Sequence, residues 1–527
     1  MRKSLLFLGG LMILATGPAA AGRAWAQTQT QTDYSAYEQL PCSQFISETL
    51  TRDPGFNQAL QTYLQAKYAR VSARAMAAWT LGASAGVVHS ESTSGISFEP
   101  ETVDVRTYEL SVQKLFLETG SRLTLSHANS LSRLAYAASE PYVLDLGPGM
   151  APLVLDFGGL ADTSPETSTP NIAVSLVQPL IRNAFGLADR FPLQAASLQT
   201  EAAELDAQEA WENRIAELYN AYFSWAAAYE NVRAFQEIVM DLQRLLDQVE
   251  RKVQAGVAER TDLLRTQENI LQTRSQLIQA EGNFKNETVR IAYLRAGRDV
   301  APGDIPRVRP ILESGLQPDP ADAEAPEAER VDRLRLLRKL DLLHRQLEDR
   351  IAVAENSRLP SLDLVGNLTW KGRADDAGGG YGEINRKDYS VLLQAQYPLG
   401  AEQGRGETGQ AQAGLAELER SREATRRDLT LSLVQMEESL RNLRDVLALN
   451  REQEASAAEK LQLDERNYRI GRLDTFYLID STNNLTQARL QRIQTQIQLQ
   501  RMLVAYRSLA DQLLARFPEV VQALQGE

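Results

Sequence analysis

The stretch QAGVAERTDLL, residues 254–264, decides how the chain is read. It lies in a proline-free run from Leu193 to Ala301 that is otherwise rich in helix formers. A glycine inside a helix costs about 1 kcal/mol relative to alanine, so Gly256 needs a reason. A second stretch, RIGRLDTFYLID at 469–480, puts Gly471 in another proline-free run, Leu399 to Phe517. Adding 215 carries Gly256 to Gly471, Leu263 to Leu478, Asn269 to Asn484, Arg274 to Arg489 and Leu294 to Leu509. Paired glycines in one shared register indicate an internal tandem repeat. Glycine adopts positive φ, so each one marks where a helix ends and a return arm begins. Asp262 then lies about one and a half turns up its arm.

The arms carry sustained heptads. Trp211, Leu218, Trp225, Val232 and Val239 recur every seven residues before Gly256, and Ile270, Leu277, Phe284 and Ile291 recur after it. The second repeat has Leu433, Leu440, Leu447, Leu461 and Tyr468, then Leu478, Leu485, Leu499 and Tyr506, with Arg492 breaking the row. Such spacing predicts supercoiled helices. The arms from about Gly186 to Gly256 and Gly406 to Gly471 would each span roughly 100 Å if straight, and helices that long need partners throughout. An ordinary coiled-coil rod also fits the helices taken alone.

The strands discriminate. Alternating segments occur at 80–88, 108–113, 123–126 and 171–180, and again at 360–370 and 389–399. Period two indicates strands with two different environments. Segments of nine to eleven residues suffice to cross a bilayer when tilted. A chain without an apolar helix spans a membrane only as a closed barrel. The chain supplies four to six strands, too few to close alone, so symmetric copies would complete the barrel together. A small soluble sandwich is the other reading of alternation. Pro179 and Pro398 end the last strand of each half, which suggests a strand running straight into a coil.

The start of the chain reads as a secretory signal: Arg2 and Lys3, an apolar run, then AWA before Gln27. A cut after Ala21 is the alternative. The formal charge is −13, and cleavage after Ala26 removes three basic residues and no acid, leaving −16. Nothing here favours nucleic acid. Cys42 is the only cysteine, so no internal disulfide forms, and it reads as an inert thiol rather than an acylation site. His89, His127 and His344 lack metal-ligand spacing. No nucleophilic triad, phosphate loop or cofactor motif is present. GAEQGRGETGQ at 400–410 reads as the glycine-rich passage from strand to helix.

These signals divide the chain into a signal peptide (1–26), a first repeat (27–298) and a Pro- and acid-rich equatorial connector (299–329). A second repeat (330–516) and a tail (517–527) follow. The first repeat holds a helix, strands within 80–180 and a helical hairpin over 187–297. The second holds a helix, strands within 361–399 and a hairpin over 405–516.

The order and spacing of VSLVQPLIRNAFG, SRLPSLDLVGN, AQYPLG, VQAGVAERTDLL and YRIGRLDTFYLIDSTNNL resemble the TolC-like outer-membrane factor family across nearly the whole mature chain. The resemblance implies an α+β membrane protein. It would be a homotrimer whose copies share one twelve-stranded transmembrane β-barrel, continuous with a long α-helical coiled-coil tunnel in the periplasm. It implies the exit duct of a tripartite efflux pump or type I secretion system, seated in outer-membrane lipid. A periplasmic adaptor and an inner-membrane transporter would be its partners, with no enzyme activity and no cofactor.

By the same resemblance Gly256, Val257, Gly471 and Arg472 form the adaptor-docking tips. Asp262, Tyr468, Arg472 and Asp480 are the periplasmic gate candidates. Two positions depart from the family pattern: an acidic position reads Tyr477, and the latching arginine falls at Leu473, beside Arg472. Threefold symmetry would turn one aspartate into a ring of three, which repels itself and attracts cations. Residues 108–131 add a hairpin beyond two strands per half, lying either in external loops or in the barrel, and 141–159 form a further insertion. A periplasmic coiled-coil adaptor or structural protein without a channel is the competing reading; it leaves the strand groups unexplained.

Overall fold

The structure is a computed structural model, and it describes residues 34–92, 100–136, 142–144, 147–148, 150–155, 166–312, 316, 328–376, 381–382, 384–397, 399–400 and 402–518. The signal segment, Pro398, much of the connector and most of the tail lie outside the described residues. Two compact units divide the chain: Met1–Arg52, Leu218–Gln317 and Leu443–Arg501 form one; Asp53–Glu217, Pro318–Asn442 and Met502–Glu527 form the other.

The second unit holds the sheet. Its strands are β2 (Thr80–Glu91), β3 (Pro100–Phe116), β4 (Ser121–Tyr136), β7 (Thr167–Pro179), β9 (Ser361–Lys371) and β10 (Arg386–Gln396), in the order β10-β9-β7-β4-β3-β2. Every neighbouring pair is antiparallel. The hairpin that the sequence left unplaced is β3–β4, and it lies between β2 and β7 as part of this sheet. The insertion at 141–159 contributes a short separate pair, β5 (Tyr142–Leu144) with β6 (Leu153–Leu155).

The register gives the sheet two faces. One cross-strand row reads Leu81, Val112, Leu125, Val174, Leu368 and Tyr389, one residue per strand. The adjacent row reads Gly82, Ser111, Ser126, Ala173, Thr369 and Asp388. Because the side-chain period is two, each strand sends its apolar set to the same side.

Helices flank the strands in sequence. The predicted block 44–78 is two helices, α1 (Cys42–Leu50) in the first unit and α2 (Pro54–Arg74) in the second. The break falls at Asp53, whose carboxylate accepts from the Gly55 and Phe56 amides and pairs with Arg214 at 2.6 Å. Trp211 stacks on Phe56 at 4.3 Å and donates to its carbonyl at 3.0 Å. The block 330–358 is likewise two helices, α5 (Ala328–Asp332) and α6 (Arg335–Ser357).

The chain does not pass straight from β7 into the long helix. Pro179 closes β7, and Asn183, Phe185 and Gly186 then take positive φ before α3 (Leu187–Gln254) begins. Leu117 O lies 2.0 Å from where a Gly186 Cβ would be, so only glycine fits there. Nor do the glycines at 404, 406 and 409 form a passage from strand to helix; they lie inside α7 (Glu402–Arg469).

α3 and α7 are each 68 residues long, and α4 (Arg260–Ala296) and α8 (Thr475–Leu509) return from them. The heptad rows are the core: Trp225, Val232, Val239, Phe284, Ile291, Leu447 and Leu461 are buried. Trp225 and Phe284 stack at 6.4 Å, and Tyr222 donates to the Leu40 carbonyl at 2.8 Å beside the parallel pair β1 (Glu38–Leu40) and β8 (Val308–Pro310). Arg492, which breaks its row, meets Glu454, which breaks the facing row; Arg489 joins them at 3.1 Å from Glu454 and 2.5 Å from Glu237. Cys42 is buried at the start of α1, and burial pushes its thiol pKa up, away from the reactive thiolate.

Candidate functional site

Both hairpin tips are built by one device. The Gly256 amide bonds to the Val253 carbonyl at 3.0 Å and the Val257 amide to the Lys252 carbonyl at 2.9 Å. The Gly471 amide bonds to the Tyr468 carbonyl at 3.2 Å and the Arg472 amide to the Asn467 carbonyl at 2.9 Å. These are Schellman caps, with the glycines at φ +70° and +78°. Open space surrounds each glycine, so positive φ alone requires it. The caps leave Val257, Ile470, Phe476 and Tyr477 exposed at the two tips.

α4 starts only at Arg260, so Asp262 sits in its first turn and not one and a half turns up the arm. Asp262 pairs with Arg265 at 3.8 Å. Tyr468 is buried in the cluster formed by Leu242, Val249, Ile270, Leu461, Leu478 and Ile479. Burial pushes its phenol pKa up, and the charges of Asp262 and Asp474 add to this, against a 3.4 Å bond donated by Thr475. Leu473, an apolar residue, packs against the same cluster.

The residue that sequence reasoning missed is Lys252. Its Nζ lies 3.5 Å from the Tyr468 ring centroid and donates to the Tyr468 carbonyl at 2.8 Å. Desolvation pushes the Lys252 pKa down. Its position in the last turn before Gly256 was the only signal. A cation there complements the carbonyl end of α7. Arg472 and Asp480 are exposed. The Arg472 side chain makes no hydrogen bond or ion pair among the described residues, and Asp480 accepts from Asn484 at 3.0 Å on its own helix. The structure thus brings Asp262, Tyr468 and Lys252 together at one end of the first unit, while the exposed side chains of Arg472 and Asp480 make no hydrogen bond or ion pair with them.

No group of metal-ligating side chains occurs among the described residues. No helix among them is long and apolar enough to cross a membrane. The chain thus joins a two-faced antiparallel sheet to paired long helical hairpins. The chain belongs to the outer membrane efflux protein family, whose sequence model matches residues 165–296 and 332–510. It is therefore an efflux duct of the outer membrane with a periplasmic extension, in a family of channels rather than enzymes.

Solved structures share the fold. VceC of Vibrio cholerae matches at 13% identity and TM-score 0.59, over 89% of this chain and 96% of that one. CmeC of Campylobacter jejuni matches at 14% and 0.59, over 91% and 89%. The open state of MtrE of Neisseria gonorrhoeae matches at 15% and 0.61, over 89% of each. No curated protein matches the chain.

Proposed function

We propose that the chain is the outer-membrane exit duct of a tripartite efflux pump or type I secretion system, working as a homotrimer. The observation that carries this reading is the sheet. Six strands present one apolar and one polar face, which suits a wall between lipid and a water-filled lumen. The six strands form an open sheet with β10 and β2 as its edges, so in this reading several copies share one barrel.

In this reading Gly256, Val257, Gly471 and Arg472 present the tips to a periplasmic adaptor. Asp262, Tyr468, Lys252, Arg472 and Asp480 control the periplasmic entrance. Lys252 ties the end of α3 to the end of α7, so splaying the second hairpin outward breaks that contact. The energy comes from an inner-membrane transporter; the duct is passive. The division of the chain into signal peptide, two repeats, connector and tail belongs to the same proposal.

The competing reading, a periplasmic coiled-coil protein without a channel, gives the apolar face of the sheet no role. Cell fractionation followed by an unboiled gel separates the two. An outer-membrane, trimer-sized band that collapses on heating is expected. A soluble monomer would refute the channel.

A further inference from the structure

We propose that this chain builds an eighteen-stranded barrel, six strands per copy, with the β3–β4 hairpin in the lipid-facing wall. The proposal rests on the trimeric channel reading above and departs from the four strands per copy that the family resemblance implies. The family match begins only at residue 165, so β2, β3 and β4 all lie outside it.

The hairpin meets the length and pairing requirements of a crossing, and Leu110, Val112, Leu123 and Leu125 hold the apolar phase, while Lys114, His127 and Asn129 stand on that same face. β3 and β4 have 17 and 16 residues, more than a tilted crossing needs. β3 pairs with β2 over Thr80–Glu91, and β4 pairs with β7 over eleven positions. Val112 and Leu125 stand in the apolar row, Ser111 and Ser126 in the polar one. An external hairpin would have no reason to keep that phase with four membrane strands on both sides. Phe116 stands on the apolar side at the helix-proximal end of β3, and Trp79 and Tyr397 flank the corresponding ends of β2 and β10, where an interfacial aromatic girdle is expected; all three are exposed. One of the three comes from the hairpin.

The edges fit a second copy of this chain. β2 and β10 are the outer strands, 12 and 11 residues long, and they run in opposite directions because the six-strand order alternates. Joining β10 of one copy to β2 of the next therefore continues the antiparallel pattern. Leu81, Val87, Tyr389 and Val391 on these edges are exposed in the single copy, at 74%, 73%, 84% and 73%.

The stagger agrees as well. In the apolar row Leu81 stands one residue from Thr80, the helix-proximal end of β2, and Tyr389 stands seven from Gln396, the corresponding end of β10. The row climbs six residues over six strands. Six strands have five spacings, so the rise is about 1.2 residues per spacing, a tilt of about 40°, within the usual range for closed barrels. Aligning Thr80 with Gln396 closes the ring in that register, sets Val87 opposite Tyr389 on the apolar side and Ser84 opposite Leu392 on the polar side, and brings His89 to Lys387. At equal tilt, eighteen strands give a barrel about 1.5 times as wide as twelve.

Two double variants test the edge pairing: Val87→Cys with Tyr389→Cys, and Ser84→Cys with Leu392→Cys. Mild oxidation of purified trimer should yield a covalent trimer that survives boiling for at least one pair, and no cross-link from the single variants. A trimer-sized unboiled band with no cross-link from either pair would overturn the proposal while leaving the channel reading standing; loss of the trimer-sized band in the unmodified protein would overturn that reading itself. Independently, Leu110→Cys and Ser111→Cys trimers are probed in liposomes. Leu110→Cys should be quenched from the lipid and protected from a water-soluble maleimide, and Ser111→Cys labelled from water. Equal aqueous labelling at both would put the hairpin outside the wall and refute the proposal.

Discussion

The Lys252 ammonium lies 3.5 Å above the Tyr468 ring and bonds to that residue's own carbonyl at 2.8 Å, joining two positions 216 residues apart. One side chain thereby links the ends of two helices from different hairpins. Its removal should loosen the entrance. Lys252→Ala is expected to raise single-channel conductance in planar bilayers several-fold, while Lys252→Arg keeps it near the parent value. Tyr468→Phe should have little effect, because ring and carbonyl remain. Unchanged currents in Lys252→Ala would exclude it from the gate.

Gly471 makes a different prediction. Nothing lies near its Cβ position, so Gly471→Ala strains only the backbone and should cost about 1 kcal/mol, the price of a left-handed alanine. Gly471→Trp should still assemble, yet abolish adaptor-dependent export. Normal export by that variant would show that the tip is not the docking surface.

Arg335 is buried and pairs with Glu212, with Asp511 at 3.0 Å and with Glu209 at 3.4 Å. Glu212 also accepts from the Leu513 amide at 2.7 Å, and Asp511 holds positive φ at the end of α8. Arg335→Met should destabilise the protein by about 3–5 kcal/mol, since it leaves the fully buried Glu212 carboxylate, and the partly buried Asp511 beside it, without a counter-charge. Denaturant titration of the variant reads this directly; a loss under about 1 kcal/mol would contradict it.

Glu437 supplies a pH test. It is buried and accepts from Tyr506 at 3.1 Å, and desolvation pushes its pKa above the ordinary glutamate value. The folded state then holds this proton to higher pH than the unfolded state. Its contribution to stability is full below the unfolded pKa and is lost as pH rises through the folded one. Glu437→Gln should therefore raise the melting temperature at pH 8 relative to the parent and narrow the gap at pH 4. Parallel melting curves across that range would refute the assignment.

Much of the fold is legible in local pattern. The heptads identify Trp225, Phe284 and Leu461 as core, because a spacing of seven holds one face of a helix toward its partner. Gly256 and Gly471 mark the reversals, because their caps need positive φ and little else. The helix breaks at Asp53 and the irregular passage after Pro179 were not legible in the same way. They depend on Arg214 and on the close approach of Leu117 to Gly186, contacts that periodicity does not encode.

The sequence by itself determined the two hairpin reversals and the two-faced strands. Each follows from spacing within a short window, where helix and strand geometry allow one answer. Only the tertiary structure decided that Lys252 meets Tyr468, that Glu454 answers Arg492, and that β3–β4 stands inside the sheet between β2 and β7. A charged residue in a helix's last turn, or a hairpin of the right period, is compatible with many neighbours. Which neighbour it meets is settled by packing between segments far apart in the chain.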